Sequence, residues 1–107
     1  MLAQYASYTE RTKNRMNILI IAGHGAGDSG AVGCGYKEAT LTRQAANILE
    51  GKLNAYALTV SRYPSARDAY QDNINGALRV NFFDYDLIIE IHFNWYKCVP
   101  FFCNLSN

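Results

Sequence analysis

The stretch Asn17-Ile-Leu-Ile-Ile-Ala22, which runs directly into Gly23-His24-Gly25, decides the fold of this chain. Its unbroken run of apolar residues predicts a strand. Six glycines occupy the thirteen positions 23–35, which is too many for the interior of a helix or strand and predicts a loop. The folded part of the chain therefore opens with a strand that leads into a glycine-rich loop.

The sequence after this loop alternates between helical and extended patterns. From Glu38 onward, a helical spacing of apolar residues predicts an amphipathic helix whose buried face carries Leu41, Ala45, Ile48 and Leu49. We expect a second strand over residues 57–61, a second helix over 72–82 and a third strand over 85–93. Strands that alternate with helices form βαβ units, so the expected fold class is α/β, with a mainly parallel sheet flanked by helices.

Length and charge narrow the classes of function. With 107 residues and a formal net charge of +1, the chain fits one domain and lacks the basic footprint of proteins that bind nucleic acid or an anionic membrane. Its longest apolar runs are far shorter than the roughly 20 residues that cross a bilayer. We therefore expect no nucleic-acid partner and no membrane insertion. The expected divisions are an N-terminal extension at 1–15, a domain at 16–94 and a divergent tail at 95–107, with Met16 as an alternative start.

The cysteine pattern bears on the redox environment. Cys34, Cys98 and Cys103 are three in number and include no CxxC pair, which argues against both a disulfide framework and a thiolate zinc site. We therefore expect reduced thiols in a reducing compartment, with Cys34 serving as a small apolar residue near the proposed site.

His24 and His92 stand at the ends of the first and third expected strands, and Glu38 stands at the start of the first helix. In an open parallel sheet, ligands bind beyond the carboxyl ends of the strands, and a helix that follows a strand begins at the same edge. Two imidazoles and one carboxylate are a common catalytic zinc set, which leaves a fourth position for water or substrate. Either histidine alone would be interpreted as an ordinary polar residue, but together the three predict one Zn²⁺ ion suited to amide hydrolysis.

The segment Gly25-Ala-Gly-Asp-Ser-Gly30 supports a rival interpretation, because it satisfies GxGxxG directly after a strand. That nucleotide-binding fingerprint needs a helix that opens at the glycines and an acidic residue at the end of the second strand. Here several more residues precede the helix, and Arg62 follows the second strand. A nucleotide-binding module therefore stays a weaker alternative, and the absence of GK[ST] excludes a P-loop.

Three motifs in order resemble the zinc-dependent N-acetylmuramoyl-L-alanine amidases of bacterial autolysins and phage endolysins. They are Ile21-Ala-Gly-His-Gly25, then Asp28-Ser-Gly-Ala-Val-Gly33 leading to Glu38, and Tyr85-Asp-Leu-Ile-Ile-Glu-Ile-His-Phe-Asn94. The resemblance implies a truncated version of the zinc amidase fold, which is phosphorylase/hydrolase-like, with zinc bound by His24, Glu38 and His92. It also implies bacterial peptidoglycan as the partner, and as the scissile bond the amide between the lactyl group of N-acetylmuramic acid and L-alanine.

The resemblance implies a general base that is a glutamate well beyond the second histidine, and we expect residues 95–107 to fall outside the resemblance. Glu90 is the local candidate for a catalytic carboxylate, since it lies two residues before His92 on the same strand face, roughly 7 Å away. A role for Glu90 as a partner of a zinc ligand is the alternative. Asp28 is expected to orient a histidine or to order the loop, and Asn94 to bind substrate or to end the strand. Arg62 and Arg67 either line the groove or stay solvated.

Two functions therefore remain open for a chain of this family, an active amidase and an inactive zinc-bearing remnant that binds muropeptide without cutting it. The polar segment 1–15 has neither the apolar core nor the cleavage site of a secretory signal. This favours a phage or prophage endolysin, cytoplasmic until it is released to the cell wall, over a secreted autolysin, with an extracellular location as the alternative.

Overall fold

The computed structural model describes residues 15–94, so nearly all of the expected N-terminal extension and the whole divergent tail lie outside the described residues. In chain order the elements are β1 (Met16–Ala22), β2 (Val32–Gly33), β3 (Tyr36–Lys37), α1 (Glu38–Leu53), β4 (Leu58–Arg62), α2 (Ala69–Ile74), a 3-10 helix (Phe82–Asp84) and β5 (Leu87–Ile91). None of the helices within 15–94 is long and apolar enough to cross a membrane.

Strand β1 is the centre of a three-stranded parallel sheet with the order β4-β1-β5. Ile20 of β1 lies beside Arg62 on one side and Ile89 on the other. The carboxyl ends of all three strands share one edge, where the backbone N–H of Gly23 donates to the Ile91 carbonyl at 2.9 Å. The expected α/β class, with a parallel sheet flanked by helices, is confirmed.

Both faces of β1 are buried, which is why its sequence is continuously apolar rather than alternating. Residues 18, 20 and 22 pack on one face against Ala46 of α1. Residues 19 and 21 pack on the other face against Tyr63 and Ala69. Each large aliphatic side chain buried in this way contributes roughly 2 kcal/mol to folding, so β1 anchors both layers and fixes the loop that follows it.

Helix α1 is present as expected, and Leu49 of the predicted face packs against the core cluster, but the centre of the buried face is rotated from the prediction. Its buried residues are Glu38, Thr42 and Ala46, whereas Ile48 is 61% exposed. These three positions repeat every four residues and therefore lie on one side of the helix. Because Thr42 and Ala46 are small, this side can approach the sheet closely, and the same rotation turns Glu38 toward the sheet edge.

Helix α2 is shorter and starts earlier than the predicted helix at 72–82. The side chain of Asp68 caps it by accepting the backbone N–H groups of Tyr70 and Gln71. It ends at Ile74, and Gly76 has a φ of +66°, a left-handed conformation common just after helices. The prediction from apolar spacing did not recognise Asp68 as the helix cap. It also continued the helix past Gly76, which follows the end of the helix.

The glycine-rich segment contains a short antiparallel hairpin of β2 and β3, which the sequence did not predict. Cys34 and Gly35 form its turn with φ values of +50° and +80°, as tight hairpin turns require. Cys34 is disulfide-bonded, so the expectation of a reduced thiol at this position is wrong. Cys98 and Cys103 lie outside the described residues.

Candidate metal centre

Three side chains from three parts of the fold meet at the carboxyl edge of the sheet. His24 follows β1, Glu38 opens α1 and His92 follows β5. Nε2 of His24 lies 3.1 Å from Oε1 of Glu38, and Nδ1 of His92 lies 3.2 Å from Oε2. The two imidazole rings are 5.0 Å apart and meet edge to face. The structure thus brings together the residues that the sequence placed at one edge.

Glu38 is the buried centre of this group, with only 2% of its surface exposed. Its Oε1 accepts the backbone N–H of Ala31 at 3.1 Å, and its Oε2 accepts that of Phe93 at 2.8 Å. Burial alone raises the pKa of this carboxyl, but the two backbone donors and the neighbouring histidines outweigh burial and lower the pKa below its usual value. Glu38 therefore stays ionised and is held from two sides.

Each histidine faces a second carboxylate with its other ring nitrogen. Oδ2 of Asp28 lies 2.8 Å from Nδ1 of His24, and Oε1 of Glu90 lies 3.1 Å from Nε2 of His92. A carboxylate accepts the proton of the nitrogen that it faces, which leaves a lone pair on the opposite nitrogen. In both rings that opposite nitrogen points at Glu38, so the outer carboxylates favour the tautomers that can bind a metal.

The His24 imidazole lies in a negative environment. Partial burial lowers its pKa, but the hydrogen bond to Asp28 and the charge of Glu38 outweigh burial and raise the pKa above its usual value. Asp28 has a lowered pKa because it is hydrogen-bonded to His24 and to the backbone N–H of Gly30, the latter at 2.9 Å. The site therefore favours positive charge, carried either by a proton or by a metal ion.

Two glycines allow the histidine rings to lie directly on the backbone. A Cβ at Gly23 would lie 2.6 Å from Nδ1 of His92, and a Cβ at Gly30 would lie 2.8 Å from Nε2 of His24. Both distances are too short for a real Cβ. A side chain at either position would therefore displace the adjacent ring, which gives part of the glycine-rich loop a specific purpose.

Arg43 of α1 holds the backbone at His24, and the sequence did not single it out. His24 has a φ of +66°, a left-handed conformation that costs a non-glycine residue roughly 1–2 kcal/mol. The Arg43 guanidinium donates to the carbonyls of Gly23 and His24, both at 2.6 Å. It also donates to the carbonyls of Ser65 and Arg67, at 3.0 and 3.1 Å. Arg43 therefore ties the histidine loop to the loop before α2.

An open cleft of about 290 Å³ leads from solvent to the two histidines. Its other lining residues are Asp28, Asp68, Tyr70, Gln71 and Glu90. The sequence interpretation missed Asp68, Tyr70 and Gln71. Recognition of Asp68 as a helix cap would have placed the start of α2, and hence these residues, at the carboxyl edge. A larger hollow of about 740 Å³ lies at the opposite, amino edge of the sheet, beside Asn17, away from the histidines.

The remaining predicted residues are placed as follows. Asn94 is exposed at the carboxyl edge, two residues after His92. Arg67 borders the recess beside Asp28 and is ion-paired with Asp72. Arg62 donates to Asn47 at 2.7 Å, and so contacts α1. The GxGxxG segment leads into the β2–β3 hairpin rather than into a helix, which gives no support to the nucleotide-binding alternative.

The donor set fits one zinc ion. The ligand atoms of His24, Glu38 and His92 all lie within 4.8 Å of one another. The two nitrogen–oxygen distances to Glu38, 3.1 and 3.2 Å, are close to the edge of about 3.3 Å in a tetrahedral site with bonds near 2.0–2.1 Å. His24, Asp28 and Asp68 form a second group within the same limit. In that group Asp68 already accepts hydrogen bonds as the α2 cap. Asp28 is hydrogen-bonded to Nδ1 of His24, so a metal ion on that nitrogen would have to replace this hydrogen bond. The first group is therefore the better metal site.

A family model described as N-acetylmuramoyl-L-alanine amidase matches residues 18–98 of the chain. The match includes both histidines and Glu38. No curated protein and no solved structure shows significant similarity to the chain.

Proposed function

The chain belongs to the N-acetylmuramoyl-L-alanine amidase family, and from this premise we propose that it hydrolyses the amide between N-acetylmuramic acid and L-alanine in bacterial peptidoglycan, using one Zn²⁺ ion. The observation that carries the proposal is the group of His24, Glu38 and His92, whose two histidines line an open cleft. Each histidine in this group presents a nitrogen to Glu38 and is held by an outer carboxylate on its other side.

Zinc bound by these three residues would act as a Lewis acid, polarising the scissile carbonyl and lowering the pKa of water toward neutrality. Glu38 and the two imidazoles would supply three ligands, which leaves a fourth position for water or substrate. Asp28 and Glu90 retain the protons on the outer ring nitrogens, so the inner nitrogens keep their lone pairs. Arg43 donates to the carbonyls of Gly23 and His24, which limits movement of the backbone that carries the His24 ligand.

Glu90 has two possible roles in this reaction. Its contact with Nε2 of His92 at 3.1 Å supports the role of orienting that ligand. Its place in the lining of the cleft also puts a carboxylate within the space that substrate and water would share. We propose the orienting role, because one oxygen is already engaged by His92, and assign no general base among the described residues.

Peptidoglycan is the proposed partner, and the proposed place of action is the cell wall, reached either by release of a phage or prophage endolysin or by export. The disulfide at Cys34 supports a final location outside the reducing cytoplasm.

The proposal is tested by incubating the full chain with purified cell walls and measuring new L-alanine amino termini. We expect release that stops with a chelator, returns with added Zn²⁺, and falls at least 100-fold in Glu38→Gln, because that change removes the ionised ligand. Glu50→Gln is the matched control on the same helix, since Glu50 lies twelve residues after Glu38 and its side chain is ion-paired with Arg62 at 3.6 Å.

Two outcomes would contradict the proposal. Release of amino termini that survives both the chelator and Glu38→Gln would contradict zinc-dependent cleavage at this site. Zinc-dependent retention of the protein on walls, with no new amino termini at any protein concentration, would instead support the inactive remnant that binds muropeptide.

A further inference from the structure

We infer that the cleft opens onto two subsites of different chemistry, and that Tyr70 and Phe82 form the one that takes the pyranose ring of N-acetylmuramic acid. This inference rests on the proposed amidase function, because it concerns how the two halves of that substrate lie across the site.

An aromatic recess continues from the cleft on one side. It has a volume of about 110 Å³ and shares Tyr70 and Glu90 with the cleft. Its other lining residues are Ile21, Ala69, Asn73 and Phe82. Tyr70 is 64% exposed and Phe82 is 37% exposed, so both rings offer surface to a ligand. A ligand held here would lie next to the cleft that His24 and His92 line.

The exposed ring of Tyr70 is not required for packing of its helix. Helix α2 is buried through Ala69 and Asp72, and Ala69 belongs to the core cluster beneath β1. Tyr70 stands in the first turn of α2, next to the Asp68 cap that fixes where the helix begins. The fold therefore holds a large aromatic side chain at the rim of the cleft without using it in the core.

A polar recess leaves the cleft on the side of the glycine loop. It has a volume of about 470 Å³ and shares Asp28, Asp68 and Gln71 with the cleft. Its other lining residues are Ala26, Gly27, Arg67, Asp72 and Asn75. No aromatic residue among the described ones lines this recess, and it offers amide, carboxylate and guanidinium groups instead.

The two recesses match the two ends of the proposed substrate. The faces of a pyranose ring consist of C–H groups that pack on aromatic rings, while its hydroxyl and acetamido groups need polar partners such as Asn73 and Glu90. A stem peptide is a chain of amides and carboxylates, for which the polar recess provides partners. The scissile carbonyl belongs to the lactyl group carried by the sugar, so the sugar must lie immediately beside the metal site. Tyr70 is the aromatic residue that borders both the cleft and the aromatic recess.

The test compares two ligands that differ only in the sugar, N-acetylmuramoyl-L-alanyl-D-isoglutamine and lactoyl-L-alanyl-D-isoglutamine. Each is titrated into the zinc-loaded full chain and followed by NMR, which also detects any cleaved product. We expect the wild type to bind the muramoyl ligand about 10-fold more tightly, as one stacked ring allows. Tyr70→Ala should reduce this ratio to below 2, while Tyr70→Phe should keep most of it. Tyr56→Ala is the matched control, because Tyr56 is 68% exposed but lines neither recess.

Three results would overturn the inference: a wild type that binds both ligands equally, a wild type that binds neither, or a Tyr70→Ala variant that weakens both ligands by the same factor. The last result would mean that the aromatic recess takes the peptide. Failure of the proposed amidase function can be distinguished from failure of this inference. If only the amidase function fails, the sugar preference still depends on Tyr70, but no cleaved product appears in the NMR spectra or from cell walls.

Discussion

Gly23 offers a direct test of the close approach between the backbone and the second histidine. In Gly23→Ala the new Cβ would lie 2.6 Å from Nδ1 of His92 and still nearer to Cε1 of the same ring, whereas ordinary contact begins at 3.4 Å, so the ring must recede by more than about 0.8 Å. Nδ1 is the nitrogen that faces Glu38 at 3.2 Å. Because Gly23 does not have a positive φ, alanine is compatible with its backbone, and the effect isolates the displacement of the ring.

We expect Gly23→Ala to weaken zinc binding about 10- to 100-fold, the range seen when the support of a metal ligand is lost. The affinity is measured by competition with a chromophoric chelator, and circular dichroism checks that the fold is intact. Gly51→Ala in α1 is the matched control, because a Cβ at Gly51 meets nothing within 4 Å. That change should leave the zinc affinity alone and stabilise the helix by about 0.5–1 kcal/mol. A Gly23→Ala protein that is folded and binds zinc within twofold of the wild type would refute this reasoning.

Three further predictions follow from the contacts around the site. Asp28→Asn should weaken zinc binding about 10-fold, since it loses the charged acceptor for His24 Nδ1; a chelator competition that gives an unchanged affinity would count against the orienting role. Arg43→Lys should keep the fold but lower zinc affinity severalfold, because an ammonium cannot reach four carbonyls at once; circular dichroism and the same competition assay separate the two effects. The pKa of Asp72 is lowered by Arg67 and Tyr63, so its stabilising contribution is complete above its unfolded pKa near 4 and is lost as the pH falls through the lower folded value. Asp72→Asn should therefore destabilise the protein at pH 7 and flatten the acid side of its stability curve in urea unfolding, and an unchanged curve would contradict the prediction.

The topology of the site could be predicted from the sequence because it depends on few features. A continuously apolar β1, the shift to helical spacing at Glu38 and a histidine after each of two strands were enough to place the three side chains at one edge. This worked because the carboxyl ends of parallel strands coincide in any such sheet. The order of the three strands did not affect the prediction, because their carboxyl ends lie at the same edge in any order.

The rotation of α1 could not be predicted from hydrophobicity. Counting apolar residues placed Leu41 and Ile48 on the buried side, but the helix turns Thr42 inward, where its hydroxyl donates to the Gly23 carbonyl at 2.8 Å. Glu38 lies one turn before Thr42 on the same side. A search for apolar periodicity does not detect Glu38 and Thr42, because both are polar. Their burial on one side of the helix nevertheless orients Glu38 toward the histidines.

The outer parts of the site depend on long-range contacts that no local pattern contains. Arg43 contacts the carbonyl of His24, nineteen residues away in sequence, and that of Arg67, twenty-four residues away. These partners become neighbours only once β1, α1 and β4 have packed. The role of Asp28 was easier to foresee, because it lies four residues from His24 in the same loop.

The central claim is that one zinc ion is held by His24, Glu38 and His92. X-ray absorption spectroscopy of the full chain loaded with one equivalent of Zn²⁺ tests it most directly. We predict only nitrogen and oxygen ligands at about 2.0–2.1 Å, with the outer-shell scattering of two imidazoles. In His92→Ala the outer-shell scattering should fall to that of one imidazole. A sulfur ligand at about 2.3 Å, or an imidazole count that does not change in His92→Ala, would contradict the proposed zinc site.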